Sequence, residues 1–149
     1  MRIGYSSLDV FVHAARQGES FGMVLVESML CETPVITLAT PYADNSQVEV
    51  VGHEQGGLVT NNKNQFIKAM EKLFFDHNKR KYYAMAGRKR ALENYSFQAV
   101  AESINVLTHE LSLSNFRTDF VTRIRLNPSI KTSVSRNEIR EIISHSFDS

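Results

Sequence analysis

The stretch Gly18-Glu19-Ser20-Phe21-Gly22-Met23-Val24-Leu25-Val26-Glu27 holds the residue types and spacing that could do chemistry. From Phe21 to Cys31 the chain is apolar except for Glu27 and Ser28, so Glu27 is the one ionisable group on what reads as a buried helix. A lone carboxylate against a core is costly unless something satisfies it. Two solutions stay open: an Arg or Lys reaching in from another element, or a ligand with two adjacent hydroxyls, both of which one carboxylate can accept. Glu19 lies eight residues earlier. Along a helical path, eight residues rise about 12 Å and rotate about 800°, returning nearly to the same face. The two carboxylates would then flank a helix N-terminus on its cleft side, one just ahead of it and one two turns in. Between them fall the amides of Phe21, Gly22, Met23 and Val24, expected to be free and aimed where the helix dipole favours an anion. Gly22 lets a ligand approach the backbone closely. A diphosphate between two hydroxyl-bearing groups, as in a nucleoside-diphosphate sugar, matches this arrangement in length and polarity. Spacing alone fits a solvated Glu19 and a salt-bridged Glu27 equally well.

Those groups need elements to hold them. Leu8 to Ala14 is short, β-branched and apolar and reads as a buried strand running into a loop through Gly18. The helix that follows should end at Pro34, and Pro34 to Ala39 reads as a second strand. Thr40 to Gln47 reads as a polar turn, Val48 to Val51 as a short helix stopped at Gly52, and Gly56 to Val59 as a small strand. Three helices are predicted next. Asn64 to Asp76 has Phe66, Ile67, Met70, Leu73 and Phe74 on one face. Asn78 to Asn94 is basic on one side, and Ser96 caps a third with Phe97, Val100, Ile104, Leu107 and Leu111 at helical spacing. Strand and helix alternating in this way predict an α/β fold with a parallel sheet flanked by helices. Such sheets bind ligands at the carboxyl ends of their strands, which is where the Gly18–Glu27 stretch falls.

Composition narrows the function classes. The chain has 149 residues, 17 Lys+Arg against 16 Asp+Glu, a formal net charge of +1 and 42% hydrophobic residues. That length suits one domain and is short for the two domains that most sugar-, nucleotide- or hydride-transferring enzymes close around a substrate. Near-neutral charge argues against nucleic acid as a partner. A single cysteine, Cys31, excludes a disulfide framework and predicts a reducing cytoplasm, with Cys31 as core packing. No apolar run has membrane-spanning length, and Met1-Arg2-Ile3-Gly4 does not open a signal peptide. Lys79, Arg80, Lys81, Arg88, Lys89 and Arg90 read as a solvated helix face, with peripheral contact to the anionic inner face of a membrane as the alternative. Beyond residue 111 the character changes. Residues 112–149 read as a C-terminal extension with a short strand at Phe120 to Leu126, Arg117, Arg123 and Arg125 alternating with apolar residues, and a final helix opened by Ser135-Arg136-Asn137-Glu138.

The run D-V-F-V-H-A…G-E-S-F-G-M-V-L-V-E-S-M-L-C-E-T-P-V-I resembles the signature of the retaining GT-B glycosyltransferases, the "glycosyl transferases group 1" family. The resemblance continues through Gly57-Leu58-Val59, the Phe66 to Phe75 helix and Tyr95-Ser96-Phe97, covering about residues 5 to 111. It implies a Rossmann-like donor-binding domain, the C-terminal half of a GT-B fold, in residues 1–111. It implies sugar transfer from a nucleotide donor to an acceptor hydroxyl with retention, without a bound metal or other cofactor, and the chain has no Asp-x-Asp pair. By the resemblance Glu19 is the catalytic glutamate that contacts the donor sugar's hydroxyls. Ser20, Phe21 and Gly22 shape the sugar pocket, the amides of Met23 and Val24 hold the diphosphate, and Glu27 binds the ribose diol. The acceptor is left open among glycans, lipid-linked molecules and small molecules.

The departures carry expectations of their own. On the resemblance the chain begins inside the family's second domain, without its first strands, its basic Arg/Lys pair or the acceptor-binding domain. Low activity in isolation follows, with the missing half supplied by a separate N-terminal-domain chain as one option. The alternative function is a non-catalytic nucleotide-sugar-binding subunit that needs such a partner and exposes an apolar patch at the cleft edge. A receiver-type signalling domain is disfavoured, because Asp9 and Asp44 form no acidic cluster. Glu32 replaces the usual helix-ending Gly, so a left-handed cap there would be strained by about 1 kcal/mol. Thr40 to Gln47 replaces the commoner glycine-pair loop, though Glu49 still fits the glutamate after it. Asn45, Ser46 and Gln47 are candidate acceptor or phosphate contacts, or else structural turn residues. His13 is either a sugar-hydroxyl partner or proton carrier facing the cleft, or a satisfied histidine at a strand end.

Overall fold

The computed structural model describes residues 2–15, 17–40 and 42–113. The predicted strand at 120–126, the final helix and the arginines of the C-terminal extension lie outside the described residues. In chain order the elements are α1 (Arg2–Ser6), β1 (Phe11–His13), β2 (Gly18–Glu19), α2 (Met23–Leu30), β3 (Val35–Leu38), β4 (Asp44–Asn45), α3 (Ser46–Val51), β5 (Gly57–Thr60), α4 (Lys63–Phe75), α5 (His77–Tyr95) and α6 (Phe97–Leu113).

The three longer strands form a parallel sheet in the order β1-β3-β5, with Phe11 beside Val35, Ile36 beside Leu58 and His13 beside Thr37. Alternation sorts the side chains onto two faces. Val35 and Val59 join Leu25, Val26 and Met29 of α2 and Val48, Val50 and Val51 of α3 in one core. Ile36 and Leu58 join Ala69 and Leu73 of α4 and Tyr83 of α5 in the other. The predicted α/β fold is observed. A second, two-residue parallel pairing joins β2 to β4, Gly18 beside Asp44 and Glu19 beside Asn45, and spacing gave no hint of it.

Helix ends follow local chemistry. Asn62 and Asp76 accept from the amides of Gln65 and Lys79, each at 2.9 Å, to open α4 and α5. Ser96 opens α6 as predicted, its Oγ accepting from the Ala99 amide at 3.1 Å. α2 stops four residues before Pro34, so proline does not end it. Glu32 at φ 58 does, with its amide donating to the Met29 carbonyl and the Thr33 amide to the Ser28 carbonyl, each at 3.1 Å. These are the two bonds of a Schellman motif, closed here by a non-glycine residue. The left-handed cap expected to be strained at Glu32 is present.

Three expectations need correction. The first strand is only Phe11–His13, and the chain ahead of it carries the helix α1, which no periodicity marked. Cys31 is half-buried at the end of α2 and not in the core. The basic face of α5 is not simply solvated. Arg80 donates to the carbonyls of Leu73 and Phe74 at 2.7 Å, Arg88 to the Leu30 carbonyl at 3.2 Å, and Arg90 to the Val50 carbonyl at 3.0 Å. All three cap the C-terminal carbonyls of neighbouring helices, where positive charge complements the dipole. None of the described helices is long and apolar enough to cross a membrane.

Candidate functional site

The site builds up at the carboxyl ends of β1 and β3. His13 is the last residue of β1 and lies in register with Thr37 of β3, so their side chains share the face that α2 covers. His13 Nδ1 lies 3.2 Å from Thr37 Oγ1, and its Nε2 lies 3.4 Å from Glu19 Oε2. Both side chains are largely enclosed, 14% exposed for His13 and 25% for Glu19. His13 is therefore a satisfied strand-end histidine and a neighbour of the candidate catalytic glutamate at once.

Glu19 reaches this place through a non-helical turn and not along the helical path expected of it. Residues 18–22 are not helical: Glu19 is held in β2, and α2 begins only at Met23. Gly18 and Gly22, on either side of it, adopt φ 87 and φ 86. A Cβ on Gly18 would run into the Asp44 carbonyl, and one on Gly22 would meet Leu25 Cδ1 at 2.6 Å. Only glycine fits this turn without strain. The expected set of four free amides is reduced, because the Phe21 amide donates to Glu19 Oε1 at 3.4 Å. Gly22 caps α2 without a side-chain bond, and the amides of Met23 and Val24 find no acceptor among the described residues. Met23 and Val24 themselves are exposed. The Phe21 ring packs edge-on against Tyr95 of α5, centroids 5.5 Å apart. Ser20 is exposed beside it.

Glu27, half-buried on α2, is satisfied in a way neither expectation named. Its Oε2 accepts a hydrogen bond from the Tyr5 hydroxyl at 3.0 Å, and no described Arg or Lys pairs with it. Tyr5 belongs to α1, its ring edge-on to Phe11 of β1 at 5.6 Å and its carbonyl accepting from Thr33 Oγ1 at 2.8 Å. Burial raises the Tyr5 hydroxyl's pKa above its ordinary value, and the hydrogen bond to Glu27 and that carboxylate's charge raise it further. The partner is thus a neutral donor that keeps its proton, 22 residues earlier in the chain. No sequence pattern links the two.

The second loop is built largely from its own side chains. Asn45 accepts from the Thr40 amide at 2.7 Å, and Thr40 Oγ1 donates to the Asp44 carbonyl at 2.8 Å. Gln47 is fully buried, its Nε2 donating to the Leu38 carbonyl at 3.0 Å and to Thr40 Oγ1 at 2.9 Å. The Gln47 amide nitrogen is thus engaged within the loop, and its side chain has no exposed surface. Ser46 begins α3 and is half-buried. The structure brings together His13, Glu19 and the Asn45 loop, joined by the β2–β4 pairing, and holds Glu27 further along α2. Among the described residues no three His, Cys, Asp or Glu side chains converge as metal ligands.

A comparison with curated proteins returns no match. Residues 2–90, more than half of the chain, match the model of the family described as Glycosyl transferases group 1. That span contains Tyr5, His13, Glu19, Glu27 and the Asn45 loop, and ends within α5. With that match over residues 2–90 and a parallel α/β sheet flanked by helices, the chain belongs to the group 1 glycosyltransferase family.

Proposed function

We propose that this chain is the donor half of a retaining glycosyltransferase, binding a nucleoside-diphosphate sugar at the N-terminal end of α2. The observation that carries the reading is the pair of uncapped amides of Met23 and Val24 lying between the carboxylates of Glu19 and Glu27. Those amides and the helix dipole suit the diphosphate. Glu27 suits the ribose diol, and Glu19 the hydroxyls of a hexose-type sugar, with Ser20, Phe21 and Gly22 bordering it. The chemistry would rest on positioning and on stabilising the leaving diphosphate, whose charge grows as the glycosidic bond breaks. The acceptor oxygen bonds the anomeric carbon on the face from which the diphosphate departs, and its proton passes to the departing phosphate oxygen. His13, against Glu19, fixes that carboxylate's orientation. No resident cofactor enters this scheme. A role in glycan biosynthesis in the cytoplasm and an acceptor site contributed by a separate domain or chain belong to the same proposal. Titration with a panel of nucleotide sugars tests it. Glu27→Ala should weaken binding about tenfold or more, the worth of a charged hydrogen-bond acceptor. Unchanged binding would overturn the ribose assignment.

A second reading, a non-catalytic nucleotide-sugar-binding subunit, draws on a different observation. A groove of about 670 Å³ runs between β1 and α4, its apolar lining from Val10, Val12, Met70, Leu73 and Phe74 joined by the charged Asp9, Glu71 and Arg80. Phe74 and Phe75 are 74% and 82% exposed, an apolar surface of the kind a partner chain covers. Sugar transfer by the chain alone would exclude this reading. Transfer in the presence of a partner chain that persists when Glu19 of this chain is replaced by alanine would favour it.

A further inference from the structure

A carboxylate that receives a vicinal diol gains most when its plane is fixed before the ligand arrives, because side-chain freedom is then not lost on binding. Glu27 is fixed in this way. Its Oε2 takes the Tyr5 hydroxyl at 3.0 Å, whereas its Oε1 has no hydrogen-bond partner among the described residues. The donor is itself held at two points: the Tyr5 ring packs edge-on to Phe11, and the Tyr5 carbonyl takes the Thr33 hydroxyl at 2.8 Å. Three elements, α1, β1 and the α2–β3 turn, therefore set the position of one phenolic oxygen. The type of donor matters as well. An arginine at this place would neutralise the carboxylate and occupy both oxygens. A tyrosine supplies one proton to one oxygen and leaves the negative charge and the second oxygen available.

We infer that Tyr5 is a positioning residue for Glu27, orienting the carboxylate so that its free oxygen is presented to a ribose diol and thereby setting the preference for ribose over sugars that lack those hydroxyls. The inference rests on the ribose reading of Glu27 proposed above. It assigns Tyr5 no contact with the reacting atoms.

The test uses the 149-residue chain with UDP, ADP and GDP and their 2′,3′-dideoxy counterparts, read by calorimetric titration. Wild type should prefer the ribose form of the base it binds. Tyr5→Phe keeps the ring on Phe11 and removes only the oxygen. It should reduce that preference about three- to tenfold, one charge-assisted hydrogen bond's worth of orientation, while leaving dideoxy affinity unchanged. In a Glu27→Ala background the same substitution should change nothing. Thr33→Val, which frees the Tyr5 carbonyl but leaves its hydroxyl in place, should lower the melting temperature and reduce the preference by less than Tyr5→Phe does, because the hydroxyl still reaches Glu27. A wild type without ribose preference, or without affinity for any of the three diphosphates, would overturn the ribose reading and this inference together. A wild type with the preference and a folded Tyr5→Phe variant that keeps all of it would overturn the inference alone.

Discussion

Arg90 reaches from α5 to the end of α3 and donates its Nε hydrogen to the carbonyl of Val50 at 3.0 Å. Its two other nitrogens bond the Glu49 carbonyl and, at 2.6 Å, Gln55 Oε1, so one guanidinium closes the last turn of α3. Arg90→Ala should destabilise the chain by about 2 kcal/mol, since it leaves helix-end carbonyls without their charged donor. Arg90→Lys should recover little of this, because an ammonium cannot reproduce the planar fork. Urea unfolding followed by circular dichroism reads both values.

Glu32 invites the opposite change. At φ 58 it occupies a left-handed position that glycine fills without cost, and its exposed ion pair to Arg88 at 3.4 Å contributes little in return. Glu32→Gly should therefore stabilise the chain by about 1 kcal/mol, seen as a higher denaturation midpoint with an unchanged slope.

Gly22 admits no such exchange. Its φ of 86 and the Leu25 side chain 2.6 Å from where a Cβ would lie make Gly22→Ala costly, about 2 kcal/mol or more. The same substitution should displace the start of α2 and weaken nucleotide-sugar binding. A variant with wild-type stability and wild-type affinity would contradict the turn described at residues 18–22.

Asp76 supplies a pH dependence. Hydrogen bonding from the Lys79 amide, and then from its ammonium, holds the Asp76 carboxyl below the usual range. A group with a lowered folded-state pKa stabilises above its unfolded value, about 4, and that contribution fades as pH falls through the folded value. Asp76→Ala should melt below wild type at pH 7, and the two curves should converge as the pH is taken below 4. A constant gap across that range would assign the cap's effect to something other than the carboxylate charge.

How much of this was legible in the sequence depends on distance along the chain. The short apolar runs of β3 and β5, the helical spacing in α4 and the Ser96 cap are local, and were legible to within a residue or two. Family membership was legible for a related reason, since the Glu19–Glu27 motif is contiguous. Tyr5–Glu27, Arg90–Val50 and the β2–β4 pairing join residues 22 or more apart and depend on how layers stack, which no window of sequence contains. The apolar stripe on α6 misled in the other direction. Helical spacing was right, but Phe97 is 84% exposed and Val100, Ile104 and Leu111 are exposed with it, because no described element covers that face. For His13 the fact that decided the matter was strand register: it could be paired with Thr37 only once Phe11 was set beside Val35.

The two-residue pairing of β2 with β4 has a kinetic consequence. Because Gly18 and Glu19 share their ladder with Asp44 and Asn45, the two loops bordering the site form a single clasp. Neither can swing out without releasing the other, so their amides should exchange with solvent at one common opening rate. A ligand entering above Glu19 would meet a rim that yields all at once or not at all.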